Sequence, residues 1–350
     1  MMLSGWMTTS GGKIKMNNKP ISKLGIGPMS SEIIEATYRY SSVKEIPLML
    51  IASKNQIDWS GGYVNNWNTR KYMIYVSEMK KRYPKARIYI CRDHCGPGFN
   101  NIYDLKDTYE TIDSDIENGF DLIHIDLCHF NGSRRGMFQK SKEIIEYIKN
   151  KSKKVLIEIG TDENTGKSLK KLNELEHDIK YFSQFCKPSF YVCQTGTVVK
   201  EIGQFGKFNK QYVRSAKKLF DKYGFYIKEH NADYLSKKEI QERRNLVGAQ
   251  NVAPQFGVLQ TTLTLKKCFQ YGINPGEFLE DSYRGKKWEK WLSNNTGGNK
   301  MLCSVIAGHY NFSTTSYKRI YGKIQKHENF AEAIVNEIMK TIELYIDNLS

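Results

Sequence analysis

The sequence predicts a (β/α)8 TIM barrel with a C-terminal helical extension. Eight short apolar runs recur, and each is followed by a stretch in which apolar residues have helical spacing. The runs are apolar almost throughout, which is typical of parallel strands buried on both faces. Eight such units in about 250 residues match a closed barrel. A doubly wound open sheet is the alternative, but its phosphate loop is missing, because Gly25 and Gly27 lie within the first run without a third glycine.

Each strand is predicted from a run of β-branched and aromatic residues, and each helix from apolar residues three or four positions apart. In chain order, the strands are expected at 24–29, 47–53, 87–92, 120–127, 154–160, 188–194, 224–230 and 246–252. The helices that follow them are expected at 31–40, 68–82, 105–118, 138–150, 167–185, 209–223, 236–243 and 255–269. A last helix is expected at 331–348.

The chain divides into three parts. Residues 1–20 are rich in Gly, Ser and Thr without an apolar centre, which predicts a mobile leader rather than a secretory signal. Residues 21–270 hold the eight strand–helix units. Residues 271–350 follow without a linker-like stretch, so we expect their helices to pack on the barrel. No apolar run approaches the roughly 18 residues of a membrane span, and we expect no membrane partner.

The composition is basic, with 53 Lys and Arg against 37 Asp and Glu and a formal net charge of +16. The excess, mostly Lys, has three interpretations: a solvated surface, affinity for nucleic acid, or attraction of phosphorylated small molecules. No known aromatic–basic motif is present, so we expect no nucleic-acid partner. Seven scattered cysteines without a CxxC motif indicate free thiols in a reducing cytoplasm.

Polar residues gather where the predicted strands end, which is where barrels of this kind carry their active sites. A carboxylate or amide inside an apolar strand is costly without a partner, so several on one rim favour a shared ligand. The residues at these ends are Asn55, Gln56, Asp93, His94, His124, Asp126, Glu158, Asp162, Glu163, Gln194, His230 and Asn251.

Two histidines, His94 and His230, end strands with acidic residues nearby. Neutral imidazole and carboxylate ligands suit Zn²⁺, with other divalent cations as alternatives. We predict a cation site in which Asp126, Glu158 or Gln194 accompanies these histidines.

Asp93 adjoins His94 and cannot easily bind the same cation beside it, so it is a candidate base facing the substrate. Other interpretations remain open. Asp93 could cap the next segment, although Asp-His-Cys-Gly-Pro opens a predicted loop rather than the next helix itself. His230 could be a rim histidine with protein partners, and His124 and Asp126 could form a buried hydrogen-bonded pair.

Five segments resemble the D-tagatose-1,6-bisphosphate aldolase family, in particular its accessory, non-catalytic barrel subunit. They are Ser-Lys-Asn-Gln at 53–56, Asp-His-Cys-Gly-Pro at 93–97, His-Ile-Asp at 124–126, Ile-Gly-Thr at 159–161 and Glu-His-Asn-Ala-Asp-Tyr at 229–234. Their order and spacing agree from about Gly25 to beyond Gln255. The tail around Arg319 is similar more loosely.

The more distant relatives are the zinc-dependent class II aldolases. This resemblance implies that Asp93 transfers a proton, that His94 and His230 bind zinc, and that Glu158 lies near the metal. It also implies that Glu163, or Asp162, exchanges a proton at the enediolate carbon. The candidate substrate-binding residues are Asn55, Gln56, Gln194, Asn251 and Arg319.

We therefore predict a class II aldolase-like lyase that acts on a phosphorylated or acidic ketose. The alternatives are a non-catalytic subunit that stabilises a tagatose-bisphosphate aldolase, or a metal-dependent sugar epimerase or isomerase. The retained Asp93, His94 and His230 favour an active site. The Cys-Gln-Thr-Gly at 193–196 lacks the further histidine of the catalytic enzymes and favours a scaffold. Expected protein partners are a second copy or a catalytic aldolase subunit.

Overall fold

Eight parallel strands close into a barrel, which confirms the predicted fold class. The computed structural model describes residues 19–162, 169–293 and 298–349. The strands follow one another around the barrel in chain order, with β1 pairing both β2 and β8. They are β1 (Leu24–Ile26), β2 (Pro47–Ser53), β3 (Arg87–Cys95), β4 (Leu122–Asp126), β5 (Leu156–Gly160), β6 (Phe190–Val192), β7 (Ile227–Glu229) and β8 (Ala249–Val252).

A helix follows each strand. These helices are α1 (Ser31–Lys44), α2 (Thr69–Arg82), α3 (Leu105–Glu117), α4 (Arg134–Lys151), α5 (Leu172–Ser183), α6 (Lys210–Tyr223), α7 (Lys237–Arg243) and α8 (Pro254–Gln270). Polar side chains start several of them; the Ser30 hydroxyl, for example, accepts the N–H of Ile33. Among the described residues, no helix has the length and apolar composition that a membrane span requires.

The C-terminal extension is helical, as predicted. It contains α9 (Gly276–Arg284), α10 (Lys300–Ala307), α11 (Thr315–Ile324) and α12 (Phe330–Leu349). Helix α12 packs on α1, α7 and α8. The Tyr345 hydroxyl at its end donates to the backbone oxygen of Ala232, just beyond β7. The backbone N–H of Glu201 donates to the backbone oxygen of Trp291 (2.6 Å), which ties the extension to the segment after β6.

Three local features differ from the sequence-based expectations. Strand β3 continues to Cys95, so Asp93 and His94 lie in an irregular strand end rather than in a loop. The reason is that residues 93 and 95 keep pairing with β2 and β4, although the register shifts after Arg92. Helix α5 begins at Leu172 instead of residue 167. An unexpected antiparallel hairpin, 199–204, follows β6.

The barrel interior has an apolar half and a polar half. Alternate residues of five strands form an enclosed apolar cluster: Met49, Ile51, Cys91, Leu122, Phe190 and Ala249. Toward the carboxyl ends, the same alternation buries His124 on β4 and Glu158 on β5, which are register partners. The interior polarity therefore rises toward the end where a barrel carries its active site.

A buried ion pair joins α7 to the outer face of β7. The Arg243 Nε–H donates to both carboxylate oxygens of Glu229 (2.8 and 3.0 Å), and neither residue is more than 1% exposed. Thr195 and Gln250 also donate to this carboxylate. The network connects the ends of three neighbouring strands with the helix that covers them.

Removing the cation of this pair should destabilise the protein. We expect Arg243→Met to lower the free energy of unfolding by about 3–5 kcal/mol, because the Glu229 carboxylate stays buried without its charge partner. The matched control is Arg244→Met, since Arg244 is exposed and forms no ion pair with any residue that the structure describes. That change should alter the free energy by less than about 0.5 kcal/mol. Urea unfolding of both variants checks this; equal losses would contradict it.

Candidate functional site

A cavity of about 250 Å³ lies at the carboxyl ends of the strands. Its floor and walls come from the barrel and its roof from the C-terminal extension. From the barrel, the lining includes Ser53, Asn55, Gln56, Asp93, His94, His230, Asp233 and Asn251; from the extension, it includes Lys290, Trp291, His309 and Tyr310. Asp93 and His94 at the end of β3 and His230 directly after β7, all predicted site residues, thus lie at one cavity.

Four side chains converge beneath the cavity. The His124 Nδ1 lies 3.3 Å from Asp93 Oδ1 and 3.7 Å from Glu158 Oε1. The His230 Nε2 lies 3.4 Å from Glu158 Oε1 and 3.8 Å from Asp93 Oδ1. A tetrahedral zinc ion, with bonds of about 2.0–2.1 Å, needs ligand atoms roughly 3.3–3.4 Å apart. These four distances are close to that value, and all four ligand atoms lie within 4.8 Å of one another, so the cluster could hold a divalent cation after it contracts.

The protonation states also suit a cation. Burial raises the pKa of Asp93, but the imidazoles of His94, His230 and His124 outweigh it and hold this pKa well below its usual range. Burial lowers the pKa of His230, which keeps the ring neutral. An ionised carboxylate and a neutral imidazole are the forms that bind a metal.

Lys228 holds one oxygen of Glu158. Its ammonium lies 2.5 Å from Glu158 Oε2, and both side chains are buried in the barrel. Burial raises the pKa of Glu158, but Lys228 and His124 together lower it to about 2. Glu158 is thus ionised, and its Oε1 remains directed at His124 and His230.

His94 and Asp126, both predicted as metal ligands, pair with each other. The His94 Nδ1 lies 2.7 Å from Asp126 Oδ2, and the His94 ring stacks on Phe99. Burial lowers the pKa of His94, but the carboxylates of Asp93 and Asp126 raise it to about 9. With His124, this pair forms a second group that could hold a metal ion. The rings of His94, His124 and His230 lie within 5.3 Å of one another, centroid to centroid.

Two glycines make room for site residues. A Cβ on Gly160 would lie 2.5 Å from His124 Nε2, and a Cβ on Gly25 would lie 2.4 Å from Asn251 Oδ1. Neither of these buried atoms has a hydrogen-bond partner among the described residues. Both atoms are therefore available to a ligand, although buried side-chain atoms without a described partner also occur away from the cavity, for example at Tyr38 and Tyr72.

The same residues also satisfy each other in part. The Asn251 side-chain amide donates to His230 Nε2 (3.0 Å), and the backbone N–H of His94 donates to His124 Nδ1 (3.2 Å). A cation bound at these nitrogens would displace both bonds. The Asn251 amide would then be free to bind a substrate oxygen.

The remaining predicted site residues have different positions. Asn55 and Gln56 line the cavity, although the Gln56 side chain also accepts the Ser53 N–H. Gln194 lies in a separate recess together with Asp162. Arg319 lies on the exposed face of α11, where Glu277 of α9 binds it. The structure therefore does not bring Gln194, Asp162 or Arg319 to the cavity, and Glu163 lies outside the described residues.

Sequence reasoning missed three features of the site. His124 is predicted at the rim and as a possible partner of Asp126 but not as a metal ligand, yet it belongs to both possible metal groups. Lys228 was not considered, although a lysine two residues before His230 in an apolar strand was a usable signal. The roof residues, including Lys290, carry no local pattern that separates them from an ordinary surface segment.

Comparisons with known proteins concern the fold. No family model matches this chain. A protein described as a "probable tagatose 6 phosphate kinase" from Sinorhizobium meliloti superposes with a TM-score of 0.78 at 13% identity, over 93% of this chain and 100% of that one. The fructose-bisphosphate aldolase of Campylobacter jejuni superposes with a TM-score of 0.62 at 12% identity, over 94% of this chain and 90% of that one. The YdjI aldolase of Escherichia coli superposes with a TM-score of 0.55 at 11% identity, over 89% of this chain and 92% of that one. The chain shares the barrel fold of these proteins.

The His94–Asp126 pair should make the stability of the metal-free protein depend on pH. The pKa of His94 is raised in the folded state, so its contribution is complete below about pH 6.5 and is lost as pH rises through 9. We expect the free energy of unfolding to fall by on the order of 2 kcal/mol over this range, since the side chain is 25% exposed and partly screened.

Denaturant unfolding in the presence of a chelator, at several pH values, checks this expectation. His94→Gln should flatten the pH dependence, whereas His177→Gln, at an exposed position on α5, should leave it unchanged. An unchanged profile in His94→Gln would mean that another group titrates.

Proposed function

We propose that this protein is a metal-dependent, class II aldolase that cleaves or forms a C–C bond in a phosphorylated or acidic ketose. The cluster of two imidazoles and two carboxylates beneath a small cavity carries this proposal. The shared barrel fold of the C. jejuni and E. coli aldolases supports it. Seven cysteines without a disulfide support a cytoplasmic location.

Three buried residues, His124, Glu158 and His230, would hold Zn²⁺ or another divalent cation. Catalytic zinc sites use three protein ligands and leave one position open. Asp93 is the most exposed member of the cluster, at 13%, and it stands between these ligands and the cavity. When bound, the cation would polarise the substrate carbonyl and stabilise the negative charge that develops beside it.

Asp93 would transfer the proton of the reacting hydroxyl. Its depressed pKa keeps it ionised, and the cavity gives a substrate access to it. In the cleavage direction, Asp93 takes the proton from the hydroxyl that becomes an aldehyde. The C–C bond breaks, and its electron pair stays with the carbonyl fragment as an enediolate. Glu163 would return a proton to the enediolate carbon, while Asn55, Gln56 and Asn251 bind substrate oxygens.

An accessory role, in which the chain stabilises a catalytic aldolase subunit, is the second candidate. The bonds from Asn251 to His230 Nε2 and from the His94 N–H to His124 Nδ1 favour it. They occupy the ring nitrogens that would bind the metal, as expected for histidines with a purely structural task.

Zinc-binding measurements test whether His124 and His230 are metal ligands. We expect His124→Ala and His230→Ala to lower the zinc affinity by more than about 100-fold, which exceeds the usual effect of losing an outer-shell partner. His177→Ala, on an exposed helix face, is the matched control and should bind zinc as the wild type does. Equilibrium dialysis followed by elemental analysis measures this. Equal zinc content in all variants would rule out the proposed metal site.

Asp93→Asn tests the catalytic assignment. The variant should keep its zinc and lose about 10²–10⁴-fold in turnover, because the amide cannot accept the proton. The measurement is release of carbonyl fragments from a panel of ketose phosphates and acidic ketoses. Loss of zinc would instead identify Asp93 as a ligand. If the wild type cleaves no substrate but stabilises a catalytic aldolase subunit against heat, the accessory role is correct.

A further inference from the structure

We infer that the substrate carries a single anionic group, bound by Lys290 of the extension, and that no phosphate binds at the ends of β7 and β8. Asp233 takes the place of that phosphate. This inference rests on the proposed function, because it concerns the substrate of the same cavity. It selects ketose monophosphates or ketose acids and disfavours bisphosphates.

Asp233 occupies the start of helix α8. Its Oδ1 accepts the backbone N–H groups of Ala253 and Gln255, both at 2.9 Å. Barrel enzymes frequently bind a substrate phosphate here, after the seventh and eighth strands, because the first N–H groups of a helix lack partners and favour an anion. In this chain a carboxylate that is 1% exposed already fills that position. The first residue of α8 is Pro254, and proline has no backbone N–H that could bind a phosphate.

The segment that carries Asp233 is held in place from both sides. The Tyr345 hydroxyl of α12 donates to the backbone oxygen of Ala232 (2.6 Å), and the Tyr234 N–H donates to Gln255 Oε1 (2.7 Å). These contacts fix the backbone on both sides of Asp233, and its side chain cannot leave the helix start without giving up both N–H groups of Ala253 and Gln255. An incoming phosphate would have to displace a buried carboxylate and its support.

Lys290 is the single lysine or arginine among the described residues that line the cavity. Its ammonium lies over the rings of Trp291 (4.8 Å) and Tyr310 (5.6 Å), and it forms no ion pair with any residue that the structure describes. Its backbone oxygen accepts from the Lys200 ammonium (3.0 Å), which fixes this part of the roof. Lys290 thus offers the cavity an ammonium that no described carboxylate neutralises, and it can bind one anionic group.

The cavity size agrees with this reading. At about 250 Å³ it is smaller than the roughly 300–1,000 Å³ of most ligand pockets, so a ligand with a charged group at both ends has little space. Most of the 53 lysines and arginines lie elsewhere, and the net charge of +16 is not concentrated at the site. His94 also lines the cavity, but it is paired with Asp126, so Lys290 remains for the anionic group of a ligand.

Calorimetric binding to the zinc-loaded full chain tests the inference without requiring turnover. The probes are dihydroxyacetone, dihydroxyacetone phosphate, hydroxypyruvate and a hexulose 1,6-bisphosphate. We expect dihydroxyacetone phosphate or hydroxypyruvate to bind at least tenfold more tightly than dihydroxyacetone. Whichever of these two anions binds more tightly shows whether the site recognises a phosphate or a carboxylate. The bisphosphate should bind no more tightly than the monophosphate. Tightest binding of the bisphosphate, or no binding of either single anion, would overturn the inference.

The variants assign the effect to residues. Lys290→Gln should reduce the tenfold advantage of the anionic ligand to less than threefold, whereas Lys287→Gln, which is exposed and does not line the cavity, should keep it. Asp233→Gly should increase bisphosphate affinity at least fivefold by freeing the helix N–H groups, whereas Asp233→Asn keeps an acceptor oxygen and should not. The inference would be contradicted if Lys290→Gln kept the wild-type preference for anionic ligands and Asp233→Gly kept the wild-type affinity for the bisphosphate. Selective binding without cleavage would support it while rejecting the aldolase proposal.

Discussion

The ion pair between Lys228 and Glu158 lies between the two halves of the barrel interior. On one side, the strands bury an apolar cluster, and on the other they bury imidazoles and carboxylates. A carboxylate at this depth would be very costly alone, because burial penalises an unpaired charge. The lysine neutralises it through Oε2 and leaves Oε1 for His124 and His230. The pair thereby sets both the charge and the orientation of the cluster above it.

The cavity above this cluster needs both parts of the chain. The barrel supplies the groups that could hold a cation and move a proton, and the extension supplies the aromatic roof and Lys290. The roof is attached to the barrel through the contacts of Lys200 and Glu201 with residues 290 and 291. Burial lowers the pKa of His309 to about 3, so this roof histidine is neutral and Lys290 is the cation that the roof residues supply. In the proposed enzyme, recognition of the substrate charge and the reaction chemistry would thus belong to separate parts of the molecule.

Hydrogen bonds within the protein compete with ligand binding at the same atoms of the site. Asn251 and the His94 N–H satisfy ring nitrogens of His230 and His124, while His124 Nε2 and Asn251 Oδ1 lack partners among the described residues. A fully satisfied network would pair these two atoms within the protein, and a fully open metal site would leave the ring nitrogens unoccupied. The proposed enzyme and the accessory protein differ in which of these states prevails, and zinc affinity measures that difference.

The barrel could be predicted from the sequence because parallel strands buried on both faces must be apolar throughout and are followed by helices. The sequence also predicted that Asp93, His94 and His230 lie at one end of the barrel, since the carboxyl ends of parallel strands meet there. Contacts between side chains were not predictable in this way. Whether His94 faces a metal or Asp126, and whether Arg319 reaches the cavity, depends on strand-end irregularity and helix packing. The tertiary structure alone decided the positions and contacts of His124, Lys228 and Lys290, because residues from distant parts of the chain create their surroundings.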